Sequence, residues 1–306
     1  MKTALLLCSL AAILGLSLVA PVAAQDRVTL GLGRIFANDA IGDGRDRWRS
    51  GGYALSLMRG PGWDGQLPGR AGEILEFRLR SEVIAPEDLV NPDPDDRRYV
   101  GALSLGVHTH FALGAAEVSA GGDLVFTGPQ TGIGAFQRNI HNLLGLPKPR
   151  VLGDQIPDQV FPTVSAEIGR SVRLNDRVTL RPFAQAQAGV ESLVRVGGDM
   201  VVGQFGAGGL MIRDVITGQR VEGIEGADVP GLSFTLGGDV AHVFDSGYLP
   251  DGGLATLNDT RTRLRAGVHW QGETSEAFYG VTLLGKEFEE QPDPQLVGSL
   301  SLRLRF

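Results

Sequence analysis

Apolar and polar side chains alternate with a period of two through most of the chain. From Val100 to Phe111, Leu103, Leu105, Val107, Thr109 and Phe111 fall on one face, and Ser104, Gly106, His108 and His110 on the other. From Ala116, Val118, Ala120, Leu124 and Phe126 alternate with Glu117, Ser119, Gly121 and Asp123. Near residue 180, Val178, Leu180, Ala184, Ala186 and Ala188 oppose Thr179, Arg181, Gln185 and Gln187. In Arg261–Gln271, Leu264, Ala266, Val268 and Trp270 oppose Arg261, Arg263, Arg265 and His269. Each stretch predicts a β-strand with one apolar and one wet face. Candidate strands begin near residues 28, 51, 72, 100, 115, 161, 178, 191, 203, 232, 261, 276 and 296. A count near twelve is expected, so one candidate is surplus or two merge. The rhythm breaks once, at Gln130–Leu144, which reads as a short helix stopped by Gly145 and Pro147.

A soluble β-sandwich would alternate too. Two features favour a membrane barrel instead. The faces opposite the apolar ones carry Arg, Glu and Gln densely, as a wet lumen requires. The chain also ends in a strictly alternating Ser299–Phe306, and a closing strand with a terminal aromatic resembles the signal that outer-membrane barrels present to their assembly machinery. Closure matters because an open sheet edge in hydrocarbon would leave backbone N–H and C=O groups unpaired. The sequence therefore predicts an all-β fold, a closed antiparallel transmembrane β-barrel of about twelve strands with a short helix at one rim. A barrel of that size is mostly filled by side chains, which argues against a wide pore.

The N-terminus sets the expected compartment. Met1-Lys2 precedes an uncharged, Leu/Ala-rich run from Thr3 to Ala20, and Val22-Ala23-Ala24 offers small residues where a signal peptidase reads. Residues 1–24 are expected to be a cleaved signal peptide and residues 25–306 the barrel, with an uncleaved anchor as the alternative. No later apolar run is long enough for a spanning helix. Cys8 is the only cysteine and lies inside the leader, so neither a disulfide framework nor a thiolate site is expected in the barrel. The formal net charge is −7, which opposes nucleic acid as a partner. Of the remaining candidate chemistry, His108 and His110 share a strand face, but no third ligand is evident and a polar lumen lining is the expectation. Asp93-Pro94-Asp95-Asp96 reads as a solvated turn. Neither a phosphate-binding glycine loop nor a G-x-S-x-G elbow is present.

Four segments collect polar residues that neither turns nor alternation require: Asn38-Asp39; Asp46-Arg47-Trp48-Arg49-Ser50-Gly51-Gly52; Asp95-Asp96-Arg97-Arg98-Tyr99-Val100-Gly101; and Gly128-Pro129 followed by Gln137 and His141. Gln137 and His141 are four apart and share a helix face, although a lone helix histidine is more often a plain surface residue. Taken in order, the four segments resemble the motifs N-D, D-R-x-[YF]-T-N-G, D-R-P-Y-A-G and G-P-x₇-Q-x₃-H of the outer-membrane lipid A 3′-O-deacylase family. The similarity spans roughly residues 31–146. Ser50 stands for Thr, Gly51 for Asn, and Arg98 and Val100 for Pro and Ala. The Gly-Trp that the family carries shortly after its histidine is missing there, and Gly62-Trp63 lies earlier.

This resemblance implies a Ca²⁺-dependent enzyme that hydrolyses an ester-linked 3′-acyloxyacyl chain of lipid A in the outer leaflet. His141 would be the general base, with Gln137 its neighbour at the substrate. Asn38 and Asp39 would position the metal or the oxyanion, and Ser50 would serve where the family has Thr. Arg97, with Arg98 and Tyr99, would meet the substrate near its phosphates. The implied partners are lipopolysaccharide, outer-membrane lipids and the barrel assembly machinery, with a monomer in a Gram-negative outer membrane. Two other functions stay open: a non-enzymatic barrel, either a narrow porin or a structural protein, and an outer-membrane phospholipase working through a Ser/His pair.

Overall fold

The computed structural model describes residues 26–304 apart from 228, 251 and 254. The expected signal peptide, residues 1–24, and the terminal Phe306 lie outside the described residues. Twelve wall strands form the barrel: β1 (Val28–Asn38), β2 (Trp48–Gly60), β3 (Ile74–Ala85), β4 (Val100–Leu113), β5 (Ala116–Thr127), β6 (Gln159–Gly169), β7 (Val178–Ala188), β8 (Glu191–Val202), β9 (Gly231–Ser246), β10 (Thr260–Gln271), β11 (Ser275–Leu284) and β12 (Gln295–Leu304). Every neighbouring pair is antiparallel, and β12 returns to β1 to close the wall. The seam is short: Phe36–Asn38 pair with Gly298–Leu300, and lower down the Arg34 guanidinium donates to the Leu302 carbonyl at 3.2 Å.

The distribution of side chains is inverted relative to a soluble protein. Leu32, Phe36, Phe77, Leu105, Val107, Leu124, Val164, Leu236, Leu264 and Trp270 are exposed around the outside. Glu76, Arg80, His108, Asp123, Arg195, Asp239, Arg263 and Arg265 are buried. An apolar exterior around a charged interior is the arrangement of a wall standing in lipid. The inward charges satisfy one another. Asp239 accepts from Arg195, Arg263 and Arg265, and Asp199 from Arg213 and Arg265. His108 and His110 pair with Asp123 and Glu76, each at 2.8 Å, as lumen lining. Among the described residues no group of three His, Cys, Asp or Glu side chains could hold a metal ion. No described helix is long and apolar enough to cross a membrane.

The surplus strand candidate near residue 203 is not a wall strand. At that point the chain turns with positive φ at Gly203, Gly206 and Gly208 and enters the lumen as a hairpin, Leu210–Arg213 with Arg220–Ile224. The hairpin packs Ile212, Val221 and Ile224 against Ile35, Met58, Ile74 and Phe278 on the inner wall. Gly31 and Gly33 permit this close approach. A Cβ at Gly31 would lie 2.2 Å from the Gly223 carbonyl oxygen, and one at Gly33 would lie 2.6 Å from the Ile212 side chain. Its polar anchors are Arg213 to Glu167 and Asp199, and Gln219 to the Ala266 and Val281 carbonyls. A cavity of ≈ 630 Å³ remains beside it, lined by Arg78, Glu167, Arg181, Asp199, Arg213 and Arg220 among others. The lumen is thus obstructed by an inserted hairpin, where the strand number alone led one to expect filling by wall side chains.

The two ends of the barrel differ. The start of β1, the end of β12, the short turn after β4 and the base of the hairpin lie at one end. The segments after β1, β3, β5, β9 and β11 lie at the other, and the longest of them carries α1 (Ile133–Leu144). A 3₁₀ turn, Pro129–Thr131, leads into α1, and Gly145 ends it in the left-handed conformation (φ 68°) while its N–H bonds back to the last turn. The helix therefore begins a few residues later than the sequence suggests.

Candidate active site at the outer rim

Helix α1 does not lie across the barrel mouth. It rests on the outward side of the wall. Gly101 and its cross-strand partner Val83 fall on the same face of the wall as exposed Leu105 and Val107. A Cβ at Gly101 would come within 2.8 Å of Ile133, so only glycine admits the helix here. Ala85, Leu89, Tyr99 and Val151, with Val83 and Leu152, form the apolar seat beneath it. The Tyr99 ring sits beside Gly134, a position at which any Cβ would already press on Leu152 at 2.9 Å.

Gln137 and His141 are buried on the wall-facing side of α1. His141 Nδ1 lies 2.7 Å from the Pro147 carbonyl oxygen, an acceptor only, so Nδ1 carries a hydrogen and donates it. His141 Nε2 lies 3.2 Å from Asp46 Oδ2, and the Gln137 amide donates to the same carboxylate at 3.4 Å. Sequence reading quoted Asp46 within its motif without giving it a role, and it turns out to be the acid facing the histidine. Residue 47 carries the link onward. The Arg47 backbone N–H donates to Asp39 Oδ2 at 2.7 Å, and Gln295 donates to that same oxygen at 3.2 Å.

Asp39 is 1% exposed, and its second oxygen, Oδ1, is buried without a hydrogen-bond partner. Burial, reinforced by the nearby Asp46 and Asp43 carboxylates, pushes the Asp39 carboxyl up to about 8, against the bonds from Arg47 and Ala40 N–H groups that pull it down. A buried carboxyl in this state holds either a proton or a cation. Hard oxygens such as Asp39 Oδ1 and the Ser50 hydroxyl, also buried and unpartnered, are the donors Ca²⁺ prefers. The donor chemistry fits that ion, with backbone carbonyls, water or substrate completing a larger oxygen shell.

A pH dependence follows. The raised Asp39 value means that the folded state binds a proton the unfolded chain has already released. Stability from this group is therefore full below pH 4 and is lost as pH rises through about 8. In chelator-treated protein the unfolding temperature should fall between pH 6 and pH 9, and Asp39→Asn should flatten that fall. An equal slope in both proteins would refute the assignment.

The remaining expected residues are placed as follows. Asn38 falls on the outward side, its Oδ1 accepting from Ala40 N–H at 2.8 Å; a Cβ at Gly51 would come 2.6 Å from its Nδ2, so glycine at 51 leaves room for that amide. Ser50 is buried in the bulged start of β2, next to Trp48, whose φ of 46° is the one positive value on a non-glycine among the described residues. Strain of this kind gathers at functional sites. Where the family motif has an aromatic, Arg49 turns inside to Glu82, Glu191 and Glu287. Arg97 is enclosed, paired with Glu287 at 2.5 Å, while its Nε and Nη2 stay buried without partners. Arg98 is half-exposed and 3.6 Å from Asp154, and Tyr99 is fully buried under α1 with its hydroxyl unpartnered. Sequence reading missed Glu287 and Gln295, which sit in or beside a loop without any motif to mark them.

The solved structure of LpxR from Salmonella typhimurium superposes with a TM-score of 0.74 at 16% identity, covering 90% of this chain and 100% of that one. The β domain of the Bordetella autotransporter BrkA aligns over 90% of this chain and 99% of its own at 13% identity, with a TM-score of 0.43. No curated protein matches in sequence. The family model described as outer membrane protein LpxR matches residues 6–306, nearly the whole chain. With the barrel, its lipid-facing belt and the rim site in place, that match establishes the chain as a member of the LpxR family of Gram-negative outer-membrane proteins.

Proposed function

We propose that this protein is a Ca²⁺-dependent lipid A deacylase that hydrolyses an ester-linked 3′-acyloxyacyl chain in the outer leaflet. One observation carries the reading: His141, fixed by Pro147 and faced by Asp46 and Gln137, sits on the outward side of the wall, and the residue after Asp46 binds a buried Asp39 with a free oxygen.

With Nδ1–H held by the Pro147 carbonyl, a neutral ring has its lone pair on Nε2, and a water that takes the place of the Asp46 carboxylate at that nitrogen can give up a proton to it. The water oxygen adds to the ester carbonyl, the acyl C–O bond breaks, and the proton returns from Nε2 to the departing alkoxide, leaving a fatty acid and a free hydroxyl on lipid A. Asp46 stabilises the imidazolium while it carries that proton, and Gln137 holds the Asp46 carboxylate in line. Asp39, helped by Asn38 and Ser50, would hold Ca²⁺, which when bound supplies positive charge opposite the oxyanion. Of the motif's two arginines, Arg98 is the one available to a lipid phosphate, since Arg97 is engaged below.

A phospholipase with a serine nucleophile is less well supported, because the Ser50 hydroxyl has no hydrogen-bond partner and hence no base to activate it. The plugged lumen speaks against a porin. The test is incubation of the purified barrel with lipid A in Ca²⁺ or in chelator, followed by mass spectrometry. Loss of one acyl chain only with Ca²⁺ is expected. An unchanged acyl count in both conditions overturns the proposal, and labelling of the protein by a serine-reactive probe would favour the phospholipase.

A further inference from the structure

Helix α1 carries three distinct sides. One, with Gly134, Gln137 and His141, is buried against the wall. A second holds Ala135, Arg138, Asn139 and Asn142, all exposed. The third, between the other two by the helical repeat, presents Phe136, Ile140 and Leu143. Phe136 is 63% and Leu143 80% exposed, and Leu144 and Leu146 extend the patch past the helix end. Among the described residues nothing covers them. The helix sits on the outward face of β3 and β4, the same face that displays Phe77, Leu79, Leu105 and Val107, so the patch continues the lipid-facing belt. The polar side carries the cation Arg138, and exposed Lys148 and Arg150 follow the helix.

We propose that α1 lies in the outer leaflet itself, with Phe136, Ile140, Leu143 and Leu144 immersed among lipid acyl chains. Arg138, Lys148 and Arg150 then sit at the level of anionic headgroup phosphates. The helix is an interfacial element: hydrocarbon takes the flank that water would otherwise face. The occupant of the patch is lipid and not a second barrel, because the patch merges with the belt and is bordered by cations suited to anionic headgroups. This inference rests on the outer-membrane placement of the barrel and is independent of the hydrolytic reading, so the two fail separately.

The test uses nitroxide labels at Leu143→Cys and Phe136→Cys, with Asn142→Cys on the polar side as reference, in a Cys8→Ser background. The proteins are reconstituted in vesicles of phosphatidylglycerol and phosphatidylcholine, and a heat-modifiable gel shift verifies folding. Labels at 136 and 143 should collide more with oxygen than with a water-soluble nickel chelate, and the label at 142 should show the reverse. Equal nickel accessibility at 142 and 143 overturns the proposal. So does spin–spin broadening at 143 that disappears on dilution with unlabelled protein, since it would identify a second barrel as the occupant.

Discussion

Replacing His141 with alanine should lower the turnover of lipid A deacylation about 10²- to 10⁴-fold, the usual worth of a positioned general base, while KM changes little. The side chain is not a folding element of the wall. It makes one bond to the Pro147 carbonyl and one contact with Asp46, and α1 is seated mainly by Ile133 on Gly101 and by the apolar cluster around Tyr99. The loss should therefore fall on kcat, because the imidazole takes its proton only as the transition state forms. Asp46→Asn should lower kcat by less, about 10-fold, since the base remains and only the partner of its charged form is weakened. Steady-state kinetics on purified variants, with the gel shift as a folding check, separates these effects. A His141→Ala protein with wild-type kcat would sink the catalytic assignment, and one whose KM alone rises would make His141 a binding residue.

Glu287→Gln should be the most destabilising conservative change in the loops of the site end. The Glu287 carboxylate holds three guanidinium groups that arrive from different parts of the chain: Arg49 at 2.8 Å, Arg97 at 2.5 Å and Arg261 at 3.3 Å. Arg49 and Arg261 keep Glu191 when Glu287 is lost, and Arg49 also keeps Glu82. Arg97 keeps no carboxylate, and its side chain is wholly buried. Breaking a buried ion pair on one side costs about 3–5 kcal/mol because the remaining charge stays out of water. The unfolding midpoint in detergent should drop accordingly. Adding Arg97→Met to Glu287→Gln should recover a large part of the loss, since it removes the stranded charge. A single variant within about 0.5 kcal/mol of wild type, or a double variant no better than the single, would show that the cluster is solvated and not a buried anchor.

Much of this architecture is written locally. The faces of β4, β5, β7 and β10 follow from alternation alone, because successive side chains in a strand point to opposite sides whatever the rest of the chain does. The same holds for α1, whose stop at Gly145 is a short-range signal, and for the pairing of Gln137 with His141 on one helix face. The order of the polar motifs, read as family resemblance, pointed to the fold and family that the barrel bears out.

Other features were settled only by closure of the wall. Leu210–Ile224 looks like one more strand, yet with the twelve wall positions filled its apolar residues find burial only in the lumen, against glycines of β1 that leave room for it. Alternation says which residues share a face but not which face a loop helix will dock on, so the outward seat of α1 depended on a glycine in β4 meeting Ile133. Asp46 became the partner of His141, and Gln295 and Glu287 became anchors of Asp39 and Arg97, through contacts between residues 95, 256 and 190 positions apart. Side-chain pairs of that range leave no period or spacing in a single sequence. They exist because a closed ring brings its last strand back beside its first, as for Gln295 and Asp39, and gathers loops from distant strands at one rim, as for the other two.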